Sequence, residues 1–554
     1  KNKLFAKQTI SRLFLWYGAP LCCALIVFSP LISLLAIAFQ SGIDIWLDLA
    51  QTVLGYYIFN TVALMILTGI GVLIIGTYMA WLITIYRFPG QKWLVWFAIL
   101  PLSLPAFLIA FIYTDLLEYA GIVQTTLRHI LDIDPNESLA FPEIRSLGGA
   151  AIMMTLVLYP YVFIMARSSF IEQSPHLFEA CRLLGVKRKD LFIKVAVPLA
   201  RPAIVAGVSL ALIETLSDFG TVDFFAVHTL SIGIFDTWYQ RNNPGGAAQI
   251  ALAMLSIVIL ILVVERYLRA NRHYIQTTTK SAYHAPYHLS GFKAWGATIL
   301  CTLPPIFGFL IPLISLFYDS IIYFKDISKT ELLSAALNSF QFATLTALIG
   351  TMLALFAVFS IRLAYRNLWP RRLFVFSTVG YAIPGAVLAI AIVFSLAWFD
   401  QIINYITEFL WDHKTTLIIS GTSAAVIIAC TIRFLAPACY ALLTNSDKIS
   451  SNIDFSGRLL GLNINKTMWK IVCPSLRTGI FTAFILVFVE VMKELPITLT
   501  LRPLNNESLA TLIYQYASDE RFEQAAPGAL AITLVGLIPV IILSKAITKH
   551  HYKT

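Results

Sequence analysis

The sequence is poor in charged residues. Asp, Glu, Lys and Arg make up only 13% of its 554 residues, whereas 58% are hydrophobic and the mean hydropathy is +0.77. A soluble domain carries roughly 25% charged residues, so this chain has too few charges to cover a water-facing surface. The composition therefore excludes a soluble enzyme. It also excludes disordered and collagen-like chains, because the sequence has no compositionally biased or glycine-periodic tract.

Motifs that would carry bond chemistry are also missing. The seven cysteines lie mostly in apolar runs and lack the spacing of zinc ligands, so we expect buried free thiols. No G-x-x-x-x-G-K-[ST] sequence occurs, which excludes an ATP-phosphate loop in this chain. No recognisable metal or nucleophile constellation supports a membrane-embedded enzyme. We therefore predict no catalytic residue and no tightly bound metal.

What the sequence does contain is long apolar runs. A membrane-spanning helix needs roughly 20 mostly apolar residues, and twelve runs reach that scale. The first follows a basic start and is too long for the core of a signal peptide, so we expect it to be retained. We predict an all-α polytopic membrane protein. The runs are 14–39, 56–86, 93–117, 148–171, 196–217, 248–265, 295–317, 338–361, 373–399, 415–443, 474–492 and 526–544.

The placement of charges predicts the orientation. If the amino terminus is cytoplasmic and the spans alternate, the cytoplasmic segments hold 30 of the 40 Lys and Arg residues but only 6 of the 30 acidic residues. Cytoplasmic loops of membrane proteins carry such a basic excess. We expect both termini in the cytoplasm. The net charge of +10 is explained by this asymmetry, so no nucleic-acid partner is expected.

The two halves of the sequence resemble each other at offsets of 276–279 residues. Six spans in each half insert the same way up, so we expect parallel repeats related by a pseudo-twofold axis along the membrane normal. The predicted first half is 1–265, the cytoplasmic connection is 266–294, and the second half is 295–554. The matching pairs are Leu183–Gly185 with Leu459–Gly461, Pro198 with Pro474, Glu214 with Glu490, Asn60 with Asn338, Pro105 with Pro384, and Thr229–Leu230 with Ser508–Leu509.

Asn60 and Asn338 begin matching spans, where they either cap a helix or bond across helices. Pro101, Pro105 and Pro384 are expected to kink the third span of each half, as prolines in membrane helices do.

A cytoplasmic loop after the fourth span predicts two short helices. Ser174 and Pro175 are typical of a helix start, and Gly185 is typical of a helix end with positive φ. A basic helix should follow and end near Pro198. The surface of this loop is predicted to be apolar as well as basic, which indicates a docking partner. Its apolar residues are Leu177, Phe178, Leu183 and Leu184.

The residues Glu179-Ala180, Gly185 and Pro198 resemble the EAA loop of bacterial ABC importer permeases. The resemblance implies that this loop docks on a separate ATPase, and that ATP and Mg²⁺ bind to that subunit. The second copy is degenerate, because Phe455-Ser456-Gly457 stands where Glu179-Ala180-Cys181 stands. Two loops imply two ATPase copies with unequal contacts. The predicted coupling residues of the second loop, 450–474, are Asp454, Arg458, Gly461 and Pro474.

The segments after the fifth span of each half resemble the fused ferric-iron permeases of bacterial iron-uptake systems. The first half reads Glu214-Thr-Leu-Ser-Asp218-Phe-Gly, and the second reads Glu490-Val-Met-Lys493-Glu494-Leu-Pro with Leu501-Arg502-Pro503 following. The resemblance covers nearly the whole chain. It implies Fe³⁺ as the cargo, a periplasmic iron-binding protein as a partner, and the bacterial inner membrane, among lipids, as the location.

Four carboxylates occur at positions that match between the two halves. Glu214 and Asp218 are four residues apart, as are Glu490 and Glu494, so each pair is predicted to share a helical face. Acidic groups in spans usually face a cavity or a partner, and oxygen ligands suit a hard cation. A place in the iron path and contact with the binding protein both stay open. So does a structural role, in which Lys493 neutralises Glu490 or Glu494.

Other functions also remain open. Permeases for thiamine, polyamines or phosphonates share this architecture, and a proton-driven secondary transporter would use Glu214 and Glu490 as a relay.

Overall fold

The structure is a computed structural model of the chain. Within its described part nearly all regular structure is helical, and two short strands, Tyr86–Arg87 and Tyr287–His288, pair in parallel. The predicted all-α membrane fold is confirmed. The described residues are 2–40, 42–133, 141–173, 175–187, 190–270, 287–323, 325, 328–363, 369–411, 418–450, 453, 456 and 462–549.

Eleven helices of the described chain are long and apolar enough to cross a membrane, and one bent pair makes a twelfth. Each of the twelve predicted apolar runs overlaps one of these twelve spans. The prediction succeeds because length and hydropathy are enough to recognise a span. We number them span 1 to span 12. They are Pro20–Gln40, Leu54–Ile85, Ala106–Leu131, Leu147–Glu172, Leu191–Ser217, Pro244–Arg269, Phe292–Ile322, Lys329–Leu363, Gly385–Leu410, Ser423–Asp447, the pair Asn465–Ser475 with Arg477–Met492, and Phe522–Ile542.

Several helices extend beyond these limits. The complete helices of spans 1, 6, 9 and 12 are Asn2–Gln40, Pro244–Ala270, Gly385–Trp411 and Phe522–Lys549. Span 3 consists of Ala106–Leu117 and Ile122–Leu131. Shorter helices lie between spans at Ile43–Thr52, Gln91–Phe97, Pro175–Leu183, Gly220–Phe224, Leu230–Phe235, Trp369–Ser377, Pro496–Leu501 and Leu509–Ser518. Single turns of wider π-helix occur at Leu191–Ala196, Asp236–Gln240, Ile306–Leu310 and Met468–Val472.

The third spans differ from the prediction. Each is interrupted rather than kinked, because an isolated 3₁₀ turn and an extended residue precede the main helix. Pro105 and Pro384 lie at these breaks, where a residue before proline favours extended backbone. The main helices therefore begin at Ala106 and Gly385, about a dozen residues later than predicted.

The described chain forms two compact units that do not follow the two halves of the sequence. The unit that we call the first-half unit contains spans 2 to 5, and it also takes spans 7 and 12 from the second half. The second-half unit contains spans 8 to 11 together with span 1. Their residues are 46–242, 253–327 and 513–554 for the first-half unit, and 1–45, 243–252 and 328–512 for the second-half unit.

Glycines allow the helices of the first-half unit to approach closely. A side chain at Gly76 would come within 2.7 Å of Val162 Cβ, and one at Gly207 would come within 2.8 Å of Val162 Cα. Spans 2 and 5 therefore both pack against span 4 at the same place. Small residues are typical of such interfaces in membranes, where contact between backbones replaces hydrophobic burial as the attraction.

Candidate functional site

The predicted docking loop begins with a helix at Pro175–Leu183. The chain leaves the helix through Gly185, whose φ of +77° lies in the left-handed region that favours glycine. The amide of Val186 donates to the carbonyl of Cys181 at 3.0 Å, which closes the last turn. The local signals at Pro175 and Gly185 thus predicted the bounds of this helix. We call it coupling helix 1, after the role that the sequence predicts for it.

Coupling helix 1 presents an apolar end. Leu183 is 90% exposed and Leu184 is 82% exposed, and Glu179 and Ala180 are also exposed. Exposed leucines side by side at the end of a short helix are typical of a surface that another protein covers.

Phe178 was predicted to lie on this surface, and that prediction is wrong. Its side chain is only 2% exposed. It contacts Trp81 of span 2 with ring centroids 6.1 Å apart, and Trp81 also contacts Phe170 of span 4 and Phe192 of span 5, at 5.5 and 5.2 Å. Edge-to-face aromatic contacts, such as those of Trp81 with Phe178 and Phe170, stabilise packing beyond the area that they bury. Coupling helix 1 is therefore anchored among three spans.

Pro198 was predicted to end the helix that follows Gly185, and this is also wrong. A π-helical turn at Leu191–Ala196 continues directly into the helix Val197–Ser217, with Pro198 in its first turn. Proline cannot donate a hydrogen bond to the preceding turn, and here that turn is the wider π-helical one. The side chain of Gln173 donates to the carbonyl of Ala196 at 3.0 Å and joins the two ends of the loop.

The second half repeats this arrangement at Pro474. A π-helical turn at Met468–Val472 precedes it, and the chain then bends by 71° before the helix Arg477–Met492. Of the other predicted coupling residues in this half, Asp454, Arg458 and Gly461 lie outside the described residues.

The two acidic pairs do not share helical faces as predicted. The helix of span 5 ends at Ser217, so Asp218 has extended backbone, with ψ of 133°. Its carboxylate accepts a hydrogen bond from the amide of Thr221 at 2.8 Å and another from the Thr221 hydroxyl at 3.1 Å. Asp218 thus stabilises the start of the short helix Gly220–Phe224. Burial raises the pKa of the Asp218 carboxyl to about 7, against the Thr221 hydrogen bonds, which lower it.

Glu494 occupies the matching position in the second half. Its Oε1 accepts a hydrogen bond from the amide of Ile497 at 3.3 Å, near the start of the helix Pro496–Leu501. The same oxygen accepts one from Arg433 at 3.0 Å, and the two side chains are only 6% and 8% exposed. Glu494 is therefore the partner of a buried arginine, which the sequence did not predict. Lys493 forms an ion pair with Glu490 instead, and its Nζ lies 3.2 Å from Glu490 Oε1.

Gly385 makes room for this buried pair. A side chain there would come within 2.1 Å of Arg433 Nη1 and 3.0 Å of Glu494 Oε1. The first turn of span 9 therefore packs directly over the two charges.

The repeated asparagines bond across helices rather than capping them. Asn60 of span 2 donates to the carbonyl of His228 at 3.0 Å. The next residue, Thr61, accepts a hydrogen bond from the amide of Leu230 at 3.0 Å. Span 2 thereby holds the chain between spans 5 and 6.

The second half contains the same pair of bonds. Asn338 donates to the carbonyl of Glu507 at 3.0 Å, and Ser339 accepts from the amide of Leu509 at 2.7 Å. Two identical clamps at equivalent positions show that the sequence repeat is also a structural repeat within each unit.

The segment after span 5 contains one more carboxylate that the sequence did not single out. Asp223 accepts a hydrogen bond from the hydroxyl of Tyr514, and the Tyr514 ring lies 5.9 Å from that of Phe219. Among the described residues, no group of three or more His, Cys, Asp or Glu side chains is arranged to hold a metal ion.

Comparison with known proteins identifies the family. Residues 72–273 and 357–553 each match the family described as "Binding-protein-dependent transport system inner membrane component". The chain belongs to this family. It is a multi-pass membrane permease of an ABC transport system, with two fused copies of the family domain.

Named relatives of the permease differ in their cargo. It is 27% identical to the Fe(3+)-transport system permease protein FbpB 2 of Haemophilus influenzae, over 97% of this chain and 98% of that protein. It is 30% identical to the sulfate transport system permease protein CysT of Escherichia coli, over 34% of this chain and 67% of that protein. It is 27% identical to the putative 2-aminoethylphosphonate transport system permease protein PhnU of Salmonella typhimurium, over 38% of this chain and 72% of that protein.

Proposed function

We propose that this permease carries Fe³⁺ into the cytoplasm, receiving it from a periplasmic iron-binding protein. The supporting observation is the extent of similarity. The Fe(3+) relative matches 97% of this chain, through both halves and the connection, whereas the sulfate relative matches 34%. A fused pair of halves is thus common to this chain and the Fe(3+) relative.

The charges after span 5 support a cation. A trivalent cation prefers hard oxygen ligands, whereas an oxyanion such as sulfate would be repelled by carboxylates. Glu490 and Glu494 each have a basic partner, Lys493 and Arg433. Leu156 stands at the position of Arg433 in the first half. We therefore assign the cation path to Asp218 more than to Glu494, its second-half counterpart.

The chain conducts and couples, and a pair of ATPase subunits supplies the energy. In this mechanism the ATP-bound, closed ATPase dimer draws the loops 174–189 and 450–465 together, rotates the half-bundles and opens the pathway outward. Hydrolysis reverses the movement and releases the ion inward. The exposed Leu183 and Leu184 supply the docking surface in the first loop. ATP and Mg²⁺ bind to the ATPase, and this chain breaks no bond.

Uptake by reconstituted vesicles tests the cargo. Liposomes that contain the permease and its ATPase, with the binding protein outside and ATP inside, should accumulate radioactive Fe³⁺. A matched preparation with an ATPase that cannot hydrolyse ATP should not. Accumulation of sulfate, 2-aminoethylphosphonate, thiamine or a polyamine, with no iron, would replace iron as the cargo.

The energy source needs its own test. The detergent-solubilised permease should retain an ATPase through purification. If it never does, and if uptake in cells stops with a protonophore while ATP stays high, the chain is proton-driven and the ATP-coupled mechanism is wrong.

A further inference from the structure

Arg362 lies one residue before the end of span 8 and bonds to the chain that leads into the second coupling loop. Its guanidinium donates to the main-chain carbonyls of Ser446, Ile449 and Ser450, at 3.1, 3.2 and 3.0 Å. These three residues cover the end of span 10 and the first residue of the loop 450–474. One side chain thus connects span 8 to the start of this loop.

An arginine side chain is well suited to this contact. Ser446 lies in the last turn of the helix Ser423–Asp447, where a cation interacts with the negative end of the helix dipole. Ile449 and Ser450 follow that helix. Arginine presents several N–H groups in a fixed plane, so it binds several carbonyls with little loss of freedom. A lysine would offer one compact donor group and could not span the same three positions.

The first half uses a different anchor. Thr84 corresponds to Arg362, and its hydroxyl oxygen is buried without a hydrogen-bond partner in the described chain. There, Phe178 enters the aromatic cluster around Trp81 instead. Asp454 corresponds to Phe178 in the sequence, so the second loop has no aromatic residue at that position.

We propose that Arg362 is a positioning residue for ATP coupling, which holds the start of the second coupling loop to span 8, whereas Trp469 contacts span 8 near the end of that loop. Movement of the loop is then transmitted to spans 8 and 10 through these three hydrogen bonds. The proposal rests on the proposed function in one respect, since it requires that loop 450–474 docks on an ATPase.

Photocrosslinking at both loops tests the proposal. A photoreactive phenylalanine analogue replaces Leu183 in the first loop or Ile453 in the second, both of which are at least one-third exposed. Each is combined with Arg362→Gln, with Arg362→Lys, or with the control Arg372→Gln. Arg372 is an exposed arginine whose guanidinium lies 5.8 Å from the ring of Trp369.

We expect Arg362→Gln to lower the crosslink from position 453 to the ATPase by about tenfold, the effect of losing a charge-assisted hydrogen bond. The crosslink from position 183 should be unchanged. Iron transported per ATP hydrolysed should fall, and Arg362→Lys should recover part of both losses. Arg372→Gln should behave as wild type.

The possible failures are distinguishable. If neither position crosslinks in the wild type, the docking function is wrong. If both crosslink and Arg362→Gln leaves the yield at position 453 and the transport per ATP unchanged, Arg362 does not position the loop. If Arg362→Gln only misfolds, it should lose both crosslinks and its assembly with the ATPase, and the result then depends on Arg362→Lys. A larger loss of the crosslink at position 453 than at position 183 in Arg362→Lys supports the proposal. An equal loss of the two crosslinks overturns it.

Discussion

Asp218 and Glu494 show how one position of a repeat serves two purposes. Both carboxylates accept a hydrogen bond from the amide three residues later. Only Glu494 also bonds to Arg433. The sequence predicted two acidic pairs with the same spacing, because spacing within each half is all that the repeat shows. Arg433 is 61 residues from Glu494 and Leu156 stands at its counterpart, so comparing the halves could not find this pair.

Replacing Asp218 separates its charge from its hydrogen bonds. Asp218→Asn keeps an acceptor for the Thr221 amide, whereas Asp218→Ala removes it at a cost of about 1 kcal/mol of stability. If the charge attracts the cation, both variants should lose most iron uptake in vesicles, and only the alanine variant should melt earlier.

The same variants give a pH test. Because the pKa of Asp218 is raised to about 7, its negative charge is lost as the pH falls through that value. Wild-type uptake should therefore fall between pH 8 and pH 6, and uptake by Asp218→Asn should lack this dependence. Normal uptake by Asp218→Asn would show that the residue only stabilises the helix start.

The space at Gly385 predicts a stability effect. In Gly385→Ala the new methyl group would come within 2.1 Å of Arg433, so the buried ion pair must shift. Overpacking of this kind costs about 1–3 kcal/mol. The purified variant should melt at a lower temperature in detergent. The matched control is Gly296→Ala in span 7, where nothing lies within 4 Å. Equal melting temperatures for the two variants would contradict the close packing at Gly385.

At the scale of elements, the local signals at Pro175 and Gly185 were read correctly, whereas the signal at Pro198 and the burial of Phe178 were not. Pro175 and Gly185 predicted the bounds of coupling helix 1, because a helix start and a left-handed residue are properties of a few neighbouring residues. The burial of Phe178 depends on Trp81, almost a hundred residues away. In the same way, Pro105 and Pro384 marked the positions of the breaks in spans 3 and 9, because a proline acts on its immediate neighbours. The sequence did not show how far each helix would be shortened.

Coupling helix 1 predicts different effects for two substitutions at Gly185. Valine in the left-handed region is strained by about 1–2 kcal/mol and by more through its branching, whereas asparagine tolerates this conformation. Gly185→Val should reduce the association of the ATPase and its stimulation by cargo. Gly185→Asn should retain both. Membrane insertion, measured by the amount of full-length protein in the membrane fraction, should be normal in each. Normal coupling in the valine variant would argue that the turn plays no part in docking.

At the scale of the whole molecule, the internal sequence repeat predicted two halves. This division of the sequence stays a prediction. The compact units are interleaved instead. The first-half unit contains spans 7 and 12 of the second half, and the second-half unit contains span 1. Apolar patterning could not have shown this, because a spanning helix is apolar on every face and its sequence does not specify which neighbour it contacts.

Interleaving predicts that the halves do not fold alone. In the first-half unit, Tyr113 of span 3 donates to the carbonyl of Phe307 in span 7 at 2.6 Å, and a side chain at Gly308 would lie 2.6 Å from the carbonyl of Leu156. A fragment that ends in the connection, after residue 270, lacks span 7 and leaves these surfaces facing lipid. Expressed alone, it should aggregate in detergent and be degraded rapidly. Expressed together with a fragment that begins at residue 287, it should co-purify with that fragment as one species in size-exclusion chromatography. A fragment 1–270 that is monodisperse and protease-resistant by itself would mean that span 7 contributes little to the fold.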